Sequence, residues 1–322
     1  MHWQPSASLS ALRARAAILQ RIRAFFATRD VLEVEVPCLD LFPNTDPNMM
    51  TVEASCDGRP HFLQTSPEYA MKRLLARDGV SIYSLGKAFR DAEIGEQHNP
   101  EFTMLEWYRV GFDWRDLMQE VADLCSLCSD GWVVLAPPQF DSYAELFARF
   151  VSLDPHRAEL SELQQACQQY TDLGGVELTR QECLDLLFSY AIEPHLSDTC
   201  LQFVYDYPAC MAALARVETG EGGCAVTRRF ELYYRGVELA NGYQELTDAE
   251  EQAQRFAADE ARRAAEGKAH YRGDPRLVAA LAHGMPECAG VALGVDRLVM
   301  ALLGEKALSA VQAFPLHRAS QI

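Results

Sequence analysis

The sequence predicts an α+β fold in which antiparallel strand pairs are flanked by helices. Two segments, 82–110 and 230–245, are typical of β-hairpins. In the first, two runs rich in aromatic and long apolar residues are separated by a polar loop. In the second, Arg235-Gly236 predicts a two-residue turn that pairs Tyr234 with Val237. Segments with helical spacing or capping residues precede, separate and follow the two hairpins.

The composition favours a cytoplasmic globular protein. The 322 residues, 49% of them hydrophobic, suffice for one large core with a substantial insertion. The ten cysteines follow no regular spacing, and the sequence has neither a secretory leader nor an apolar run of transmembrane length. A formal net charge of −17, from 46 acidic and 29 basic residues, argues against a broad nucleic-acid surface. It is compatible with a cationic small substrate, a locally basic protein partner or simple solubility.

The first predicted elements are a helix from Leu9 to Thr28 and a strand from Val31 to Pro37. An organelle transit peptide would also be amphipathic and rich in arginine. The helical pattern continues directly into an alternating strand, however, which favours a folded domain. Residues 61–65 predict a further strand, and Ser66-Pro67-Glu68 is typical of a helix start.

Between residues 111 and 193 the pattern becomes helical. Thr179 and Glu182 have the spacing of a capping box, and Pro137-Pro138 predicts an interruption. No catalytic constellation, internal repeat or low-complexity tract occurs here. We therefore expect 111–200 to be a largely helical insertion that covers the site or contacts a partner.

The first hairpin is a candidate nucleotide site. Arg90 ends one strand and could hold a phosphate, whereas Phe102 opens the return strand and could stack on a base. His98 lies in the loop between them. The alternative is a surface hairpin with an ordinary ion pair.

The second hairpin is a candidate metal and diamine pocket. Glu231 and Glu238 are expected on one face, and two buried carboxylates there are unfavourable unless a cation neutralises them. Oxygen ligands with retained waters suit Mg²⁺ carried by a nucleotide. The alternative is a solvated outer face, but the nearby Asn241 and Glu245 favour the pocket.

Several motifs together resemble one enzyme family. Arg90 followed by residues 98–104 (His-Asn-Pro-Glu-Phe-Thr-Met) closely resembles the second signature motif of class II lysyl-tRNA synthetases. The run 102–109 looks more like their short paralogues, the ligases that attach (R)-β-lysine to elongation factor P. Residues 238–246 (Glu-Leu-Ala-Asn-Gly-Tyr-Gln-Glu-Leu) resemble a lysine-type signature, and residues 290–297 resemble the third class II motif. The first helix and strand resemble the first motif, which implies a homodimer.

The resemblance implies the class II catalytic fold. This is an antiparallel sheet of about six strands flanked by helices, here in a single domain over residues 1–322. Lysyl-tRNA synthetases carry an anticodon-binding OB domain ahead of the first helix. About ten residues precede that helix here, so we expect no OB domain and no anticodon binding.

The resemblance also implies the roles of individual residues. Catalytic roles are implied for Arg90, His98 and Arg297. Substrate contacts are implied for Ser66, Pro67, Glu68, Tyr108, Asn241, Glu245 and Ala292. ATP contacts are implied for Arg90, Asp91, Ala92, Asn99, Phe102, Glu238, Leu239, Gly294 and Arg297, and Mg²⁺ contacts for Glu231 and Glu238.

Two positions depart from the synthetase pattern. Ala292 stands where lysyl-tRNA synthetases have glycine and matches the ligase paralogues, so its methyl group is expected to disfavour α-lysine by about 1–3 kcal/mol. Ala92 stands where the second motif has the glutamate that reads the adenine amino group, which predicts weaker ATP binding. Glu93 is adjacent, but in a regular strand it is expected to face the other way.

The implied activity is that of an ATP-dependent, AMP-forming ligase. It would activate (R)-β-lysine as an aminoacyl-adenylate and transfer it to a lysine side chain of elongation factor P. Two alternatives stay open: a stand-alone enzyme that charges tRNA or a small molecule, and a non-catalytic regulatory paralogue. The acidic charge and the short N-terminal segment argue against tRNA, and Ala92 is the sole support for the regulatory alternative.

Overall fold

The computed structural model describes residues 3–172 and 176–319. The strands in these residues are β1 (Leu32–Glu33), β2 (Leu39–Asp40), β3 (Glu53–Cys56), β4 (Arg59–Leu63), β5 (Ile82–Phe89), β6 (Glu101–Val110), β7 (Ala136–Ser142), β8 (Cys200–Pro208), β9 (Val217–Thr219), β10 (Ala225–Tyr234), β11 (Val237–Gln244) and β12 (Cys288–Gly294). The helices are α1 (Leu9–Ala27), α2 (Glu68–Asp78), α3 (Trp114–Ser129), α4 (Tyr143–Phe150), α5 (Leu160–Cys167), α6 (Arg180–Leu187), α7 (Ala249–Ala265), α8 (Pro275–Gly284), α9 (Val295–Leu303) and α10 (Leu316–Ala319). Short 3₁₀ turns lie at Glu193–His195, Ala209–Met211 and Leu308–Ala310, and a π-helical turn at Phe188–Ile192 follows α6.

One large sheet organises the part of the chain that the structure describes. Its centre is six antiparallel strands in the order β5-β6-β12-β11-β10-β8. β1 extends one edge parallel to β5, β7 extends the other parallel to β8, and β9 pairs with β10. A second sheet has the order β2-β4-β3. The predicted antiparallel centre is therefore confirmed, with further strands at its edges.

Both predicted hairpins are present. β5 and β6 pair in antiparallel register, with Ala88 opposite Phe102. β10 and β11 are joined by Arg235 and Gly236, whose φ angles of 53° and 67° are those of a two-residue hairpin turn. The second hairpin is thus specified locally by its turn residues.

The alternation of side chains along β6 separates the core from the site. Leu105 and Trp107 are fully buried in a core shared with α1, α3 and α9. Fully burying an apolar side chain of this size stabilises the fold by roughly 1.5–3 kcal/mol. Met104, Glu106 and Tyr108 point to the opposite face, where they line a cavity. Because side chains alternate along β6, burial of Leu105 and Trp107 in the core places Met104, Glu106 and Tyr108 at the cavity.

The segment 111–200 contributes to two cores. Helix α3 packs into the main core, whereas α4, α5, α6 and the π-helical turn form a second core against β8. The second core is centred on Tyr143, which stacks on Phe147 and Phe188. It holds α6 and the turn after it beside the same cavity.

Two local predictions differ from the structure, and one strand was not predicted. The strand expected from Val31 to Pro37 pairs only at Leu32–Glu33. Pro137-Pro138 lies inside strand β7 and does not interrupt the chain, because β7 is an edge strand and its register shifts at this point. Strand β8 carried no prediction, because it is buried along nearly its whole length and shows no alternation.

Within residues 3–172 and 176–319, no helix is both long and apolar enough to traverse a membrane.

Candidate active site

A cavity of about 860 Å³ opens on the face of the central sheet. Its floor is formed by β6, β10, β11 and β12, and its walls by α2, α6, α7 and the loop 44–49. The predicted site residues that line it are Ser66, Glu68, Arg90, His98, Asn99, Phe102, Tyr108, Glu231, Glu238, Leu239, Asn241, Glu245, Ala292, Gly294 and Arg297. Residues from distant parts of the sequence therefore meet in one place.

Three predicted residues do not line this cavity. Pro67 precedes α2 and faces a separate, smaller pocket. Asp91 and Ala92 lie on the exposed turn after β5, where the Asp91 carboxylate accepts a hydrogen bond from the Ala92 amide at 2.8 Å. A direct contact of these three side chains with a ligand in the cavity is not supported by their positions.

Arg297 forms one end of the cavity. It lies in the first turn of α9, and its guanidinium donates to the Gln97 carbonyl at 3.2 Å and the Glu238 carbonyl at 3.0 Å. Its third nitrogen donates to His98 Nε2 at 2.7 Å, so the neutral imidazole carries its proton on Nδ1. Burial and the charge of Arg297 lower the pKa of His98. This end therefore combines a fixed cation with a neutral imidazole.

Arg90 and Phe102 lie beside each other at the same end. The Arg90 guanidinium stands 5.2 Å from the centre of the Phe102 ring, and its Nη1 is 3.6 Å from Glu93 Oε1. An aromatic ring and two separated arginines can hold a base and a phosphate chain. Asn99 lines the cavity too, but its amide donates to the Glu101 carbonyl and accepts from the Leu316 amide.

The expectation for Glu93 is wrong. Strand β5 ends at Phe89, and Ala92 adopts a φ of 61°, a left-handed conformation that reverses the direction of the chain. The alternation of a regular strand therefore does not apply, and Glu93 faces the cavity. A carboxylate is thus available one position later than the family pattern places it.

Asp296 anchors this end of the site. Its carboxylate accepts from the Thr103 amide and from Arg15 Nη1, both at 2.6 Å, and Arg15 also donates to the Thr103 hydroxyl at 2.8 Å. Helix α1, strand β6 and helix α9 are thereby joined at one buried carboxylate. The position of the neighbouring Arg297 depends on this junction.

Glu231 and Glu238 face the cavity from the second hairpin. Leu232 pairs with Ala240 whereas Tyr233 pairs with Glu238, so β11 has a bulge between them that turns Glu238 toward the cavity. Burial and the charge of Glu231 raise the pKa of Glu238 to about 7. Two carboxylates on one face are therefore observed, as predicted.

Glu231 is held by four donors. Tyr207 and Tyr233 donate to its Oε2 at 2.6 Å each, and Arg229 and Asn241 donate to its Oε1. Arg229 also donates to Asn241 Oδ1 at 3.2 Å, which orients the amide. This network fixes Asn241 and leaves Glu238 as the carboxylate that is open to the cavity.

The opposite end of the cavity is acidic. Glu68 and Glu245 lie there with Glu106, which accepts a hydrogen bond from the Tyr108 hydroxyl at 2.7 Å. Burial and the charge of Glu68 raise the pKa of Glu106 to about 8, and burial raises the pKa of Glu245 to about 7. Lys72 lies between Glu68 and Glu245, 2.6 Å from each. Such an end suits a ligand with ammonium groups.

Strand β12 forms the floor between the two ends. A Cβ at Gly290 would lie 2.4 Å from Glu245 Oε1 and from the Tyr108 ring, so these side chains require a glycine. Ala292, two residues further, faces the same cavity and pairs with Asn241 on one side and Glu106 on the other. At Gly290, therefore, the floor lets the side chains of Glu245 and Tyr108 approach the backbone closely. At Ala292 it presents one methyl group to the cavity.

Comparison with known proteins agrees with this geometry. A family model described as tRNA synthetases class II (D, K and N) matches residues 1–318. The chain belongs to the class II tRNA synthetase family. Curated members named elongation factor P–(R)-β-lysine ligase, from Salmonella paratyphi B, Salmonella heidelberg and Salmonella enteritidis, are each 45% identical over 325 aligned positions, which cover 98% of both chains. The predicted family and the predicted α+β class II fold are both confirmed.

Four residues of this class II site were missed or left without a role by the sequence reasoning. Lys72 follows Glu68 by one helical turn, a spacing that could have indicated an ion pair. Arg229 precedes Glu231 by two positions on the same face of a strand, and Glu106 precedes Tyr108 likewise. Gly290 belonged to a recognised motif, but its close contacts come from Tyr108 of β6 and from Glu245 after β11, and they are not visible in the local sequence.

Proposed function

We propose that this protein is an ATP-dependent ligase that activates (R)-β-lysine as an aminoacyl-adenylate and transfers it to a lysine side chain of elongation factor P. One observation carries the proposal. A single cavity has two arginines and an aromatic ring at one end and three carboxylates at the other. This charge arrangement fits a polyphosphate at one end and a diamino acid at the other. The carboxylate of the amino acid would then meet the α-phosphate between the two ends. Relatives that are 45% identical to this chain are named for the same activity, which supports the proposal.

The first step is formation of the adenylate. An oxygen of the substrate carboxylate attacks the α-phosphorus of ATP, and the bond to the bridging oxygen breaks to release pyrophosphate. The reaction needs alignment and charge neutralisation and no protein nucleophile. In our proposal Asn241 and Arg90 hold the carboxylate and the α-phosphate, while His98 and Arg297 hold the leaving pyrophosphate.

Mg²⁺ fits this site through Glu238. That carboxylate is open to the cavity, and a cation beside it would offset the repulsion from Glu231 that helps to raise its pKa. Glu231 would have to release one of its four donors to bind a cation directly. Within residues 3–172 and 176–319 no group of three or more His, Cys, Asp or Glu is arranged to hold a metal. Phosphate oxygens and water are the usual remaining ligands, and the ion would neutralise phosphate charge.

The second step is transfer. The neutral amine of the acceptor lysine attacks the carbonyl carbon of the adenylate, the carbon–oxygen bond to AMP breaks, and the amine loses a proton. The product is an amide, with AMP as the leaving group. Helix α6 and the turn after it line the cavity on the side of β8 and would border the path of the acceptor.

The experiment that tests this function is ATP–pyrophosphate exchange without an acceptor. We expect exchange with (R)-β-lysine to exceed exchange with L-α-lysine, followed by label transfer to elongation factor P. A preference for L-α-lysine would contradict the proposed substrate. No exchange with either, in protein that binds both, would contradict the activity itself.

Replacing Ala292 by glycine is expected to relax this preference. The lost methyl group opens the floor between Asn241 and Glu106, so L-α-lysine should gain roughly 5- to 150-fold in kcat/KM relative to (R)-β-lysine. Exchange kinetics with both amino acids measure the ratio. An unchanged ratio would mean that another residue selects the substrate.

Replacing Glu93 by alanine is expected to raise the KM for ATP about five- to tenfold with little change in kcat. The side chain faces the cavity beside Arg90 and could accept from the adenine amino group in place of the glutamate that Ala92 replaces. One such hydrogen bond contributes about 1 kcal/mol. Glu96, exposed on the same loop, supplies the matched control when changed to alanine. Equal KM values for both variants would show that Glu93 does not contact ATP.

The proposal also covers the assembly of the protein. It includes a single catalytic domain with 111–200 as an insertion, a homodimer, and a cytoplasmic location. Leu9 of α1 and Leu32 of β1 are 64% and 58% exposed, and these are the elements that resemble the first class II motif. Apolar side chains exposed on such elements suit an interface between two copies. Sedimentation velocity of the full chain would test the dimer.

A further inference from the structure

Lys72 is a buried cation inside the acidic end of the cavity. Its side chain is 1% exposed, and its Nζ lies 2.6 Å from Glu68 Oε1 and 2.6 Å from Glu245 Oε2. Glu68 precedes it by one turn of α2, whereas Glu245 follows strand β11. Burial alone favours the neutral amine, but the two carboxylates raise the pKa of Lys72 above its usual value. The ammonium therefore stays charged and joins two elements of the pocket.

The charges around Lys72 do not balance. Glu106, which is 3% exposed, is a third carboxylate in the same cluster, and its one hydrogen bond in this cluster comes from the Tyr108 hydroxyl. The groups that face it are Tyr108 from its own strand, Glu68 and Lys72 from α2, and Glu245 from the end of β11. Three carboxylates share one ammonium, and two of them, Glu106 and Glu245, are buried. A surplus of buried negative charge is unfavourable unless a proton or a cation neutralises it.

We propose that Lys72 is a positioning residue that clamps Glu68 to Glu245, and that an ammonium group of the substrate displaces a proton from the remaining carboxylates when it binds. The inference rests on the proposed function, since it takes a cationic amino acid as the ligand. Lys72 supplies a permanent counter-ion for part of the cluster. The rest of the negative charge is held by an exchangeable proton until the substrate arrives, and that proton passes to the buffer.

The direction of the pH dependence follows from this exchange. In the free protein the pKa of Glu106 is raised to about 8 and that of Glu245 to about 7, so the cluster holds a proton at neutral pH. An added ammonium favours the charged carboxylates, so the complex binds fewer protons than the free protein. Binding therefore tightens as the pH rises toward 8. Lys72 lowers both carboxyl pKa values, so its removal should move this dependence to higher pH.

Calorimetric titration with (R)-β-lysine tests the proposal. At pH 7, in phosphate and in Tris, the difference in binding enthalpy gives the number of protons released, which we expect to approach one. In Lys72→Gln, the pH at which the affinity levels off should move upward, and Lys72→Arg should restore the wild-type profile. Arg73→Gln, which removes a charge from the same helix outside the cavity, should leave the profile unchanged.

Two results would overturn the proposal. One is binding to the wild type without proton release, a result that remains decisive should Lys72→Gln not fold. The other is a loss of affinity in Lys72→Gln by one factor at every pH, which is what a purely structural role produces. Pyrophosphate exchange in the wild type distinguishes this inference from the proposed function. Exchange that occurs without proton release on binding would contradict the inference and leave the proposed function intact. Proton-linked binding without exchange leaves the inference standing and removes the proposed ligase activity.

Discussion

Replacing Arg297 by alanine is expected to lower kcat/KM for ATP in pyrophosphate exchange roughly 10²- to 10³-fold. Removing one preorganised group that stabilises the charge developing in a transition state typically lowers the rate by about this factor. Arg297 is preorganised by its own contacts, because the carbonyls of Gln97 and Glu238 and the ring of His98 fix its guanidinium. Exchange at varied ATP concentration measures the effect.

The contribution of geometry can be separated from that of charge. Lys at position 297 keeps the positive charge but cannot make three directed contacts, so Arg297→Lys should recover only part of the loss. Arg59→Ala, at an exposed position on β4, removes an arginine outside the cavity and should have no effect on exchange. Full activity in Arg297→Ala would contradict the proposed role.

Replacing Gly290 by alanine is expected to reduce exchange roughly 10²-fold while ATP binding is retained. The new Cβ would overlap Glu245 Oε1 and the Tyr108 ring, each at 2.4 Å, so both side chains must move away from their positions at the acidic end. Small displacements of positioning groups have effects of this size on rate. Exchange kinetics combined with nucleotide titration would show whether the loss is confined to the amino-acid end.

The matched substitution lies in the same sheet. Gly86 of β5 has no atom within 4 Å of an added Cβ, so Gly86→Ala tests the effect of glycine replacement alone. We expect it to keep activity and unfold at a similar temperature to the wild type. Comparable losses of activity in both variants would indicate general damage to the sheet.

The parts of the fold that were predictable from sequence are those with local causes. Arg235-Gly236 and the alternating strands beside it specify a hairpin, and the turn residues adopt the positive φ angles that this turn requires. The amphipathic spacing from Leu9 likewise marks α1, which ends within a residue of its predicted end. The cavity residues could be predicted because each family motif places its functional residues at fixed spacings along the sequence.

The parts that were not predictable depend on distant contacts or on backbone angles. Lys72 looks like a surface lysine until Glu245, far along the chain, arrives beside it. The position of Glu93 depends on the left-handed angle at Ala92, which the residue type does not favour. Pro137-Pro138 is compatible with a strand only because β7 lies at the edge of the sheet, a fact of topology.

The position of β12 has a consequence for how the protein is made. This strand, Cys288–Gly294, completes the centre of the sheet between β6 and β11, yet it is synthesised after both of them. Until it emerges from the ribosome, the facing edges of β6 and β11 are unpaired and apt to associate with other chains. Pairing across such long sequence separations is also slow. The cavity therefore cannot be complete before β12 has been synthesised, and the two unpaired edges are open to wrong association until then.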